Sequence, residues 1–406
     1  MSTYLLLLRK IIYFTSGFFP RVNKAVMGSY KDQFCDNAKY LYLHWQRNQF
    51  IKTIWISGDI NIVKQLNNEG YEAYHRWSYK GLFHCLTAKY YFYNSYIGDI
   101  NQYLAKGAIK VNLWHGSPLK KIEFDITSGP LANTYHSTSA FKRISNSLKF
   151  HQQHVRPDLM LSPSPIVDSL YSSAFRLSNS KIHRCGNPRT DYYRRYPEKK
   201  CSLTEMFKHK YAQVILYAPT WNDQTAVTHN KSQQNQDQQE FNWQALSKQL
   251  QQSNQLFLVR FHPNEAHLGK RIGTLDNIID ISHWQDVYNI LHDIDLLITD
   301  QSSLFIDLLL HNIPTLFYHQ KTQQASSQTQ TSLRENYDYT QHLPLVGKAF
   351  KQNDINSFQE LLQSIKTGSC FEQSPTKSLH YRQLKNIFWN QQTQDTFDTI
   401  ESYMKS

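Results

Sequence analysis

Glycine and proline are scarce, at 14 and 13 of 406 residues, which excludes collagen-like and loop-dominated architectures. The five cysteines (35, 85, 185, 201 and 370) are odd in number and never spaced as CxxC, so neither a disulfide framework nor a zinc ribbon is encoded. A reducing compartment is the expectation. Acidic residues are outnumbered, 32 against 44 Lys and Arg, and the resulting +12 charge implies an acidic partner. Nucleic acid, anionic lipid headgroups and phosphorylated substrates all satisfy that charge. No stretch reaches the roughly 18 uncharged apolar residues of a membrane-spanning helix. The apolar N-terminus is interrupted by Arg9 and Lys10, whereas a cleaved signal peptide carries its basic residues ahead of the apolar run. A cytoplasmic chain is expected, its first segment either packed in the core or lying on an anionic membrane. Absence of a Gly-rich dinucleotide fingerprint or Walker loop excludes hydride transfer and P-loop ATP hydrolysis of familiar type. No acidic cluster has metal-ligand spacing.

What is present is apolar surface. Hydrophobic residues make up 40% of the chain and 56 residues are aromatic, enough for real cores in two or three domains. Short apolar runs recur, each followed by a stretch long enough for a helix. The strand candidates are 51–58, 89–93, 108–114, 159–162, 214–218, 256–261, 295–299 and 314–318, with a helix over 61–68. Such alternation indicates an α/β fold with parallel sheets, divided into two doubly wound domains. The charged, proline-containing stretch between Tyr193 and Val214 marks the boundary, giving domains 1–200 and 201–377. After Ser378 the chain reads as helical to its end, with Leu384, Ile387, Phe388, Phe397, Ile400 and Tyr403 as the buried stripe. Two polar segments, 232–255 with ten glutamines and 320–332, read as solvated loops or frayed helix.

Three motifs could carry chemistry. In Val111 to Lys121 a strand runs into Trp114-His115-Gly116-Ser117-Pro118, placing His115 at the carboxyl edge of a sheet, where α/β proteins bind ligands. An imidazole there can accept a proton near neutral pH, although a loop histidine that merely hydrogen-bonds to backbone fits the same pattern. In Leu256 to Glu265, Arg260 and His262 alternate with apolar neighbours and share a strand face, suited to an anionic ligand. In Asp295 to Asp307, Gln301 to Ser303 lie at a helix start whose unpaired amides suit phosphate, with ordinary capping by serine as the competing role. Cys185 to Asp191 and Leu216 to Trp221 add two smaller clusters.

Taken in order, Trp114-His115-Gly116-x-Pro118-x-Lys120, Gly186-x-Pro188-Arg189-x-Asp191, Ala218-Pro219-Thr220-Trp221, Arg260-x-His262-Pro263 and Thr299-Asp300-x-Ser302-Ser303 resemble the CDP-glycerol glycerophosphotransferase family. The likeness runs from Asp36-Asn37-x-Lys39-Tyr40-Leu41 to Arg334-x-x-Tyr337. Two positions depart: Asn222 stands where the family often has Arg, and Gln301 where it usually has Tyr. The resemblance implies a GT-B-like arrangement of two Rossmann-like domains facing across a cleft, with a C-terminal crossover helix (378–406) packing back on the first domain. It implies transfer of glycerol phosphate, or a related polyol phosphate, from a CDP-linked donor held by the second domain. The acceptor is a hydroxyl of a lipid-linked or polymeric teichoic-acid-like or capsule chain, and CMP is released. It points to His115 and His262 as catalytic and to Gly116, Lys120, Arg189, Thr220, Arg260, Asp300, Ser302 and Ser303 as substrate-binding. No obligatory metal or other cofactor is expected, and the charge is assigned to the polyanionic product and the inner face of the cell membrane rather than to nucleic acid. The competing class is a GT-B nucleotide-sugar glycosyltransferase.

Overall fold

A computed structural model of the chain describes residues 3–129, 131–137, 139–219, 242–262, 265–300, 302–318, 337, 354–355, 358–372, 378–389 and 395–406. The chain divides into two units, one of Met1–His115, Ile122–Glu198 and Asn390–Ser406, the other of Gly116–Lys121 and Lys199–Trp389. The expected alternation of strand and helix is present in both, and the sheets are parallel throughout.

The first unit contains β1 (Val22–Gly28), β2 (Thr53–Ser57), β3 (Ala73–His75), β4 (Ala88–Tyr93), β5 (Ile109–Asn112), β6 (Leu159–Ser162) and β7 (Ile182–Arg184). Among the described residues they form one sheet in the order β3-β2-β1-β4-β5-β6-β7. Helices cover both faces, which is why β2 and β6 are buried at every position and read as continuous apolar runs rather than alternating ones. The order reverses between β1 and β4. Ligands of open parallel sheets bind beyond the carboxyl ends of the strands at such a reversal.

The second unit contains β8 (Gln213–Tyr217), β9 (Gln255–Val259), β10 (Ile278–Asp280), β11 (Leu296–Thr299), β12 (Thr315–Tyr318) and β13 (Asp354–Ile355). They form a second sheet in the order β10-β9-β8-β11-β12-β13, reversing between β8 and β11. Its core gathers Ile215, Phe257, Val259, Leu296 and Ile298 from the central strands, with Leu246 and Leu250 from the helix Trp243–Gln252 and Leu361 and Ile365 from the helix Phe358–Thr367.

Three expectations are corrected. The glutamine-rich 232–255 stretch is not all solvated loop: Leu246 and Leu250, four apart, put one face of the helix Trp243–Gln252 into the core. Residues 220–241, which include the rest of that stretch, and 320–332 lie outside the described residues. Among the described residues the C-terminal segment holds two helices, not one. Leu379–Phe388 belongs to the second unit, where Tyr381 donates to the Thr315 carbonyl (2.9 Å) and the adjoining Trp389 indole to that of Ile306 (2.7 Å). Only Thr396–Lys405 belongs to the first unit. There Phe397 stacks on His44 at 4.0 Å, and Glu401 accepts from His44 Nε2 and Trp45 Nε1, both at 3.1 Å. Finally, Gly116–Lys121 groups with the second unit, so the Trp-His-Gly motif is divided immediately after His115.

Candidate active site

The loop bearing His115 is held by a buried polar network at the carboxyl ends of β4 and β5. Trp114 has φ +50°, a left-handed conformation that disfavours a residue with a Cβ, and Gly116 follows at φ +129°. Two side chains hold Trp114 in place: Asn112 Oδ1 accepts from its N–H (2.9 Å), and Asn37 Nδ2 donates to its carbonyl (2.7 Å) and to that of Leu113 (3.2 Å). Asn37, fully buried near the start of the helix Asp36–Asn48, uses its Oδ1 to accept from the Arg189 amide at 3.1 Å. One amide side chain thus ties three chain segments to the same point.

His115 itself is exposed and stacks on the Trp114 ring at 4.5 Å. Its Nδ1 lies 3.1 Å from the Asn94 carbonyl. A carbonyl only accepts, so Nδ1 carries the proton and Nε2 is the basic nitrogen of the neutral ring. Asn94 is the first residue after β4, at the reversal of strand order. Its side chain donates to Ser29 Oγ (2.7 Å), beyond the end of β1, and accepts from the Ala38 amide (2.9 Å). Beneath it, Asp99 accepts from the Asn94 and Ser95 amides (3.1 and 2.7 Å) and from Ser95 Oγ (2.8 Å). Burial pushes the Asp99 carboxyl up to about 6 against the opposing effect of those hydrogen bonds.

Arg189, expected to touch substrate, is 4% exposed, and its guanidinium pairs with Asp36 at 2.8 Å. That pair joins the helix Pro188–Arg195 to the helix Asp36–Asn48. A Cβ on Gly186 would lie 2.5 Å from an Asp191 carboxylate oxygen, so a larger residue would have to displace that carboxylate. Buried Asp191 accepts from the Thr396 amide (3.0 Å) and hydroxyl (2.7 Å), capturing the start of the last helix.

In the second unit the motifs gather where β8, β9 and β11 end. Thr299 Oγ1 donates to the Ala218 carbonyl (2.6 Å), the Ala218 amide to Ile298 (2.9 Å), and the Arg260 amide to Tyr217 (2.8 Å). Ala218, Arg260 and Asp300 therefore border the reversal between β8 and β11. The expected strand face shared by Arg260 and His262 is corrected: β9 ends at Val259, because the Phe261 amide turns to Ser282 Oγ (2.9 Å), and both residues sit in the following loop. The Arg260 guanidinium is braced by the Trp284 carbonyl at 2.9 Å, and the His262 carbonyl accepts from the Glu265 amide at 2.7 Å. Ser302 Oγ accepts from the Leu304 amide (3.2 Å) at the start of the short helix Leu304–Leu310, with Ser303 as its N-cap. Gly116 and Lys120 belong to the same unit, where the Leu119 carbonyl accepts from the Tyr337 amide at 2.9 Å. Thr220 and Gln301 lie outside the described residues. Among the described residues no group of three His, Cys, Asp or Glu is placed to hold a metal ion. Asn94, Asn112 and Asp99 went unremarked in the sequence because an isolated Asn or Asp after a strand is ordinary turn chemistry.

Comparisons with known proteins bear on the family and the fold. The chain is 29% identical over 294 residues to the teichoic acid glycerol-phosphate transferase of Staphylococcus aureus, covering 70% of this chain and 71% of that one. It is 28% identical over 322 residues to the teichoic acid poly(glycerol phosphate) polymerase of Bacillus spizizenii, covering 76% and 77%. In fold it is similar to the wall teichoic acid polymerase TagF, with a TM-score of 0.71 at 20% identity over 98% of this chain and 91% of that one, and the fold is GT-B-like. The family model for CDP-glycerol:poly(glycerophosphate) glycerophosphotransferase matches residues 11–393, and with its motifs gathered at the two strand-order reversals the chain belongs to that family.

Proposed function

We propose that the protein transfers glycerol phosphate from CDP-glycerol to a hydroxyl of a teichoic-acid-like acceptor and releases CMP. The observation that carries this reading, beyond family membership, is the fixed tautomer of His115: Nδ1 donates to the Asn94 carbonyl, leaving Nε2 as the base. The acceptor hydroxyl loses its proton to Nε2 as its oxygen bonds to the β-phosphorus. The bond from that phosphorus to the bridging diphosphate oxygen breaks, and CMP leaves with the electron pair. Arg260, braced by Trp284, with His262 and the Ser302 and Ser303 segment, is assigned to the charge developing on the diphosphate. No metal is required in this scheme, since cationic and amide groups supply the neutralisation. Gly116, Lys120, Thr220 and Asp300 remain assigned to substrate by their motifs alone.

The acceptor is placed at an anionic membrane surface, at the inner face of the cell membrane. No helix among the described residues is long and apolar enough to cross a membrane. The helix Thr3–Thr15 buries Leu6, Arg9 and Tyr13 yet exposes Leu5, Leu7, Ile11 and Phe14, and the helix Ala140–Lys149 exposes Phe141 and Ile144 beside Lys142 and Arg143. Apolar residues flanked by cations suit peripheral attachment, and this use of the charge leaves no role for nucleic acid. Incubation with CDP-glycerol, CDP-ribitol and UDP-sugars, with nucleotide release measured, tests the assignment. CMP release from the CDP-polyols supports it, and turnover of UDP-sugars instead would make the chain a sugar transferase.

A further inference from the structure

The first unit carries a cluster of arginines in a part of the fold the proposed transfer chemistry does not use. A cavity of about 260 Å³ is lined by Phe124, Tyr135, Arg143, His154, Arg156 and Arg176, among others. The three arginines come from separate places: Arg143 from the helix Ala140–Lys149, Arg156 from the turn before β6, and Arg176 from the end of the helix Pro165–Phe175. Arg176 has φ +51°, and its guanidinium lies 4.0 Å from the centre of the Phe124 ring. The acids nearest in sequence to that ring are engaged elsewhere, Glu123 by the Tyr96 hydroxyl and Asp125 by Ser173 Oγ. Among the described residues no carboxylate pairs with Arg143, Arg156 or Arg176. Burial lowers the pKa of His154, and Lys10, Arg176 and Arg156 lower it further against the opposing hydrogen bond with the Thr134 backbone.

Three exposed arginines line one cavity with no carboxylate paired to them among the described residues, a lining that favours a polyvalent anion. Planar guanidinium forks match phosphate oxygens. The volume lies just below the range of about 300–1,000 Å³ for small-molecule sites, suiting a single phosphorylated group rather than a nucleotide-linked donor. The same helix carries exposed Phe141 and Ile144, so the cavity adjoins apolar surface.

We propose that this cavity binds a phosphate ester of the acceptor, outside the catalytic site, so that the growing chain is held at a second phosphate while its terminal hydroxyl reacts. That the organic part is glycerol phosphate rests on the function proposed above; binding of a phosphate ester does not. The source is either a soluble phosphodiester chain or the phosphate of a lipid headgroup.

The test uses the full chain and the double variant Arg156→Gln/Arg176→Gln, with Arg156→Lys/Arg176→Lys as a charge-retaining control and circular dichroism to confirm folding. Affinity is measured by calorimetry for a soluble glycerol-phosphate oligomer, and by sedimentation with phosphatidic acid vesicles against phosphatidylcholine vesicles. CDP-glycerol affinity is measured on the same samples. The expected result is at least a ten-fold loss in the Gln variant for one of the two phosphate probes, a smaller loss in the Lys variant and unchanged CDP-glycerol affinity. Loss on the oligomer identifies a polymer phosphate, and loss confined to phosphatidic acid identifies a headgroup. Wild-type affinity of the Gln variant for both probes overturns the site, as does a Gln variant that cannot fold while the Lys variant folds and binds both probes as weakly. Failure to bind CDP-glycerol with phosphate binding intact would overturn the function reading alone.

Discussion

Replacing Asn37 with alanine removes the bolt beneath the His115 loop. The change deletes two donated hydrogen bonds, to Trp114 and Leu113, and one accepted from the Arg189 amide, in a fully buried setting. Each backbone group left without its partner costs about 1–3 kcal/mol, and with each of the three near the lower end of that range the expected loss of stability is about 3–5 kcal/mol, against a domain stability of about 5–15 kcal/mol. The unit stays folded, but its melting temperature falls by roughly 10 °C. Trp114 is then free to leave its left-handed conformation, which costs about 1–2 kcal/mol to hold, and the stacked His115 goes with it. Turnover should fall by roughly 10- to 100-fold with donor affinity nearly unchanged, since the base is displaced rather than the donor contacts. Asn37→Asp is the sharper variant: it keeps the shape but sets an acceptor against two carbonyls, and should be no better than alanine. The assays are differential scanning fluorimetry and CMP release over a range of donor concentrations. An Asn37→Asp protein with wild-type melting temperature and turnover would refute the reasoning.

His115→Ala should lower turnover by roughly 10²- to 10⁴-fold while calorimetry finds CDP-glycerol bound as before; near-normal turnover rejects the base assignment. Asp191→Ala should destabilise the first unit by about 2–4 kcal/mol and speed hydrogen exchange in the helix Thr396–Lys405, because Thr396 loses both bonds to that carboxylate; unchanged exchange there counts against the bolt. Burial holds His151 down at about 4, so between about pH 6.5 and pH 4 the unfolded chain takes up the proton the folded one refuses, and stability drops by about 3 kcal/mol as pH falls. Asp99, raised to about 6 by burial, acts in the opposite sense between about pH 4 and pH 6, so His151→Gln should flatten or reverse the acid side of the melting profile. Deleting residues 1–20 should weaken co-sedimentation with anionic vesicles at low salt and spare activity on a soluble acceptor; undiminished binding would return the first helix to a purely structural role.

Most interior strands of both sheets were legible because strands buried on both faces are largely apolar, as in Thr53–Ser57 and Leu296–Thr299. Those missed lack that signature. β1 contains Lys24, buried against His84 at 3.0 Å, and β3, β7 and β10 are three-residue strands near the sheet edges. The Trp-His-Gly turn announced itself through its spacing, whereas Asn94 and Asp99 are unremarkable until the fold brings their segments together. Arg189 shows the limit of a motif: nothing local in Gly-x-Pro-Arg-x-Asp reveals that the arginine is buried against Asp36.

The central claim is that a CDP-polyol donor is consumed by transfer of its polyol phosphate. It is tested most directly by mass spectrometry of a defined acceptor incubated with the purified protein and CDP-glycerol, with CMP quantified in the same reaction. The account predicts acceptor species growing by whole glycerol phosphate increments, one CMP per increment, and none in the His115→Ala protein. Acceptor carrying a sugar, or CMP released without any mass gained, would contradict it.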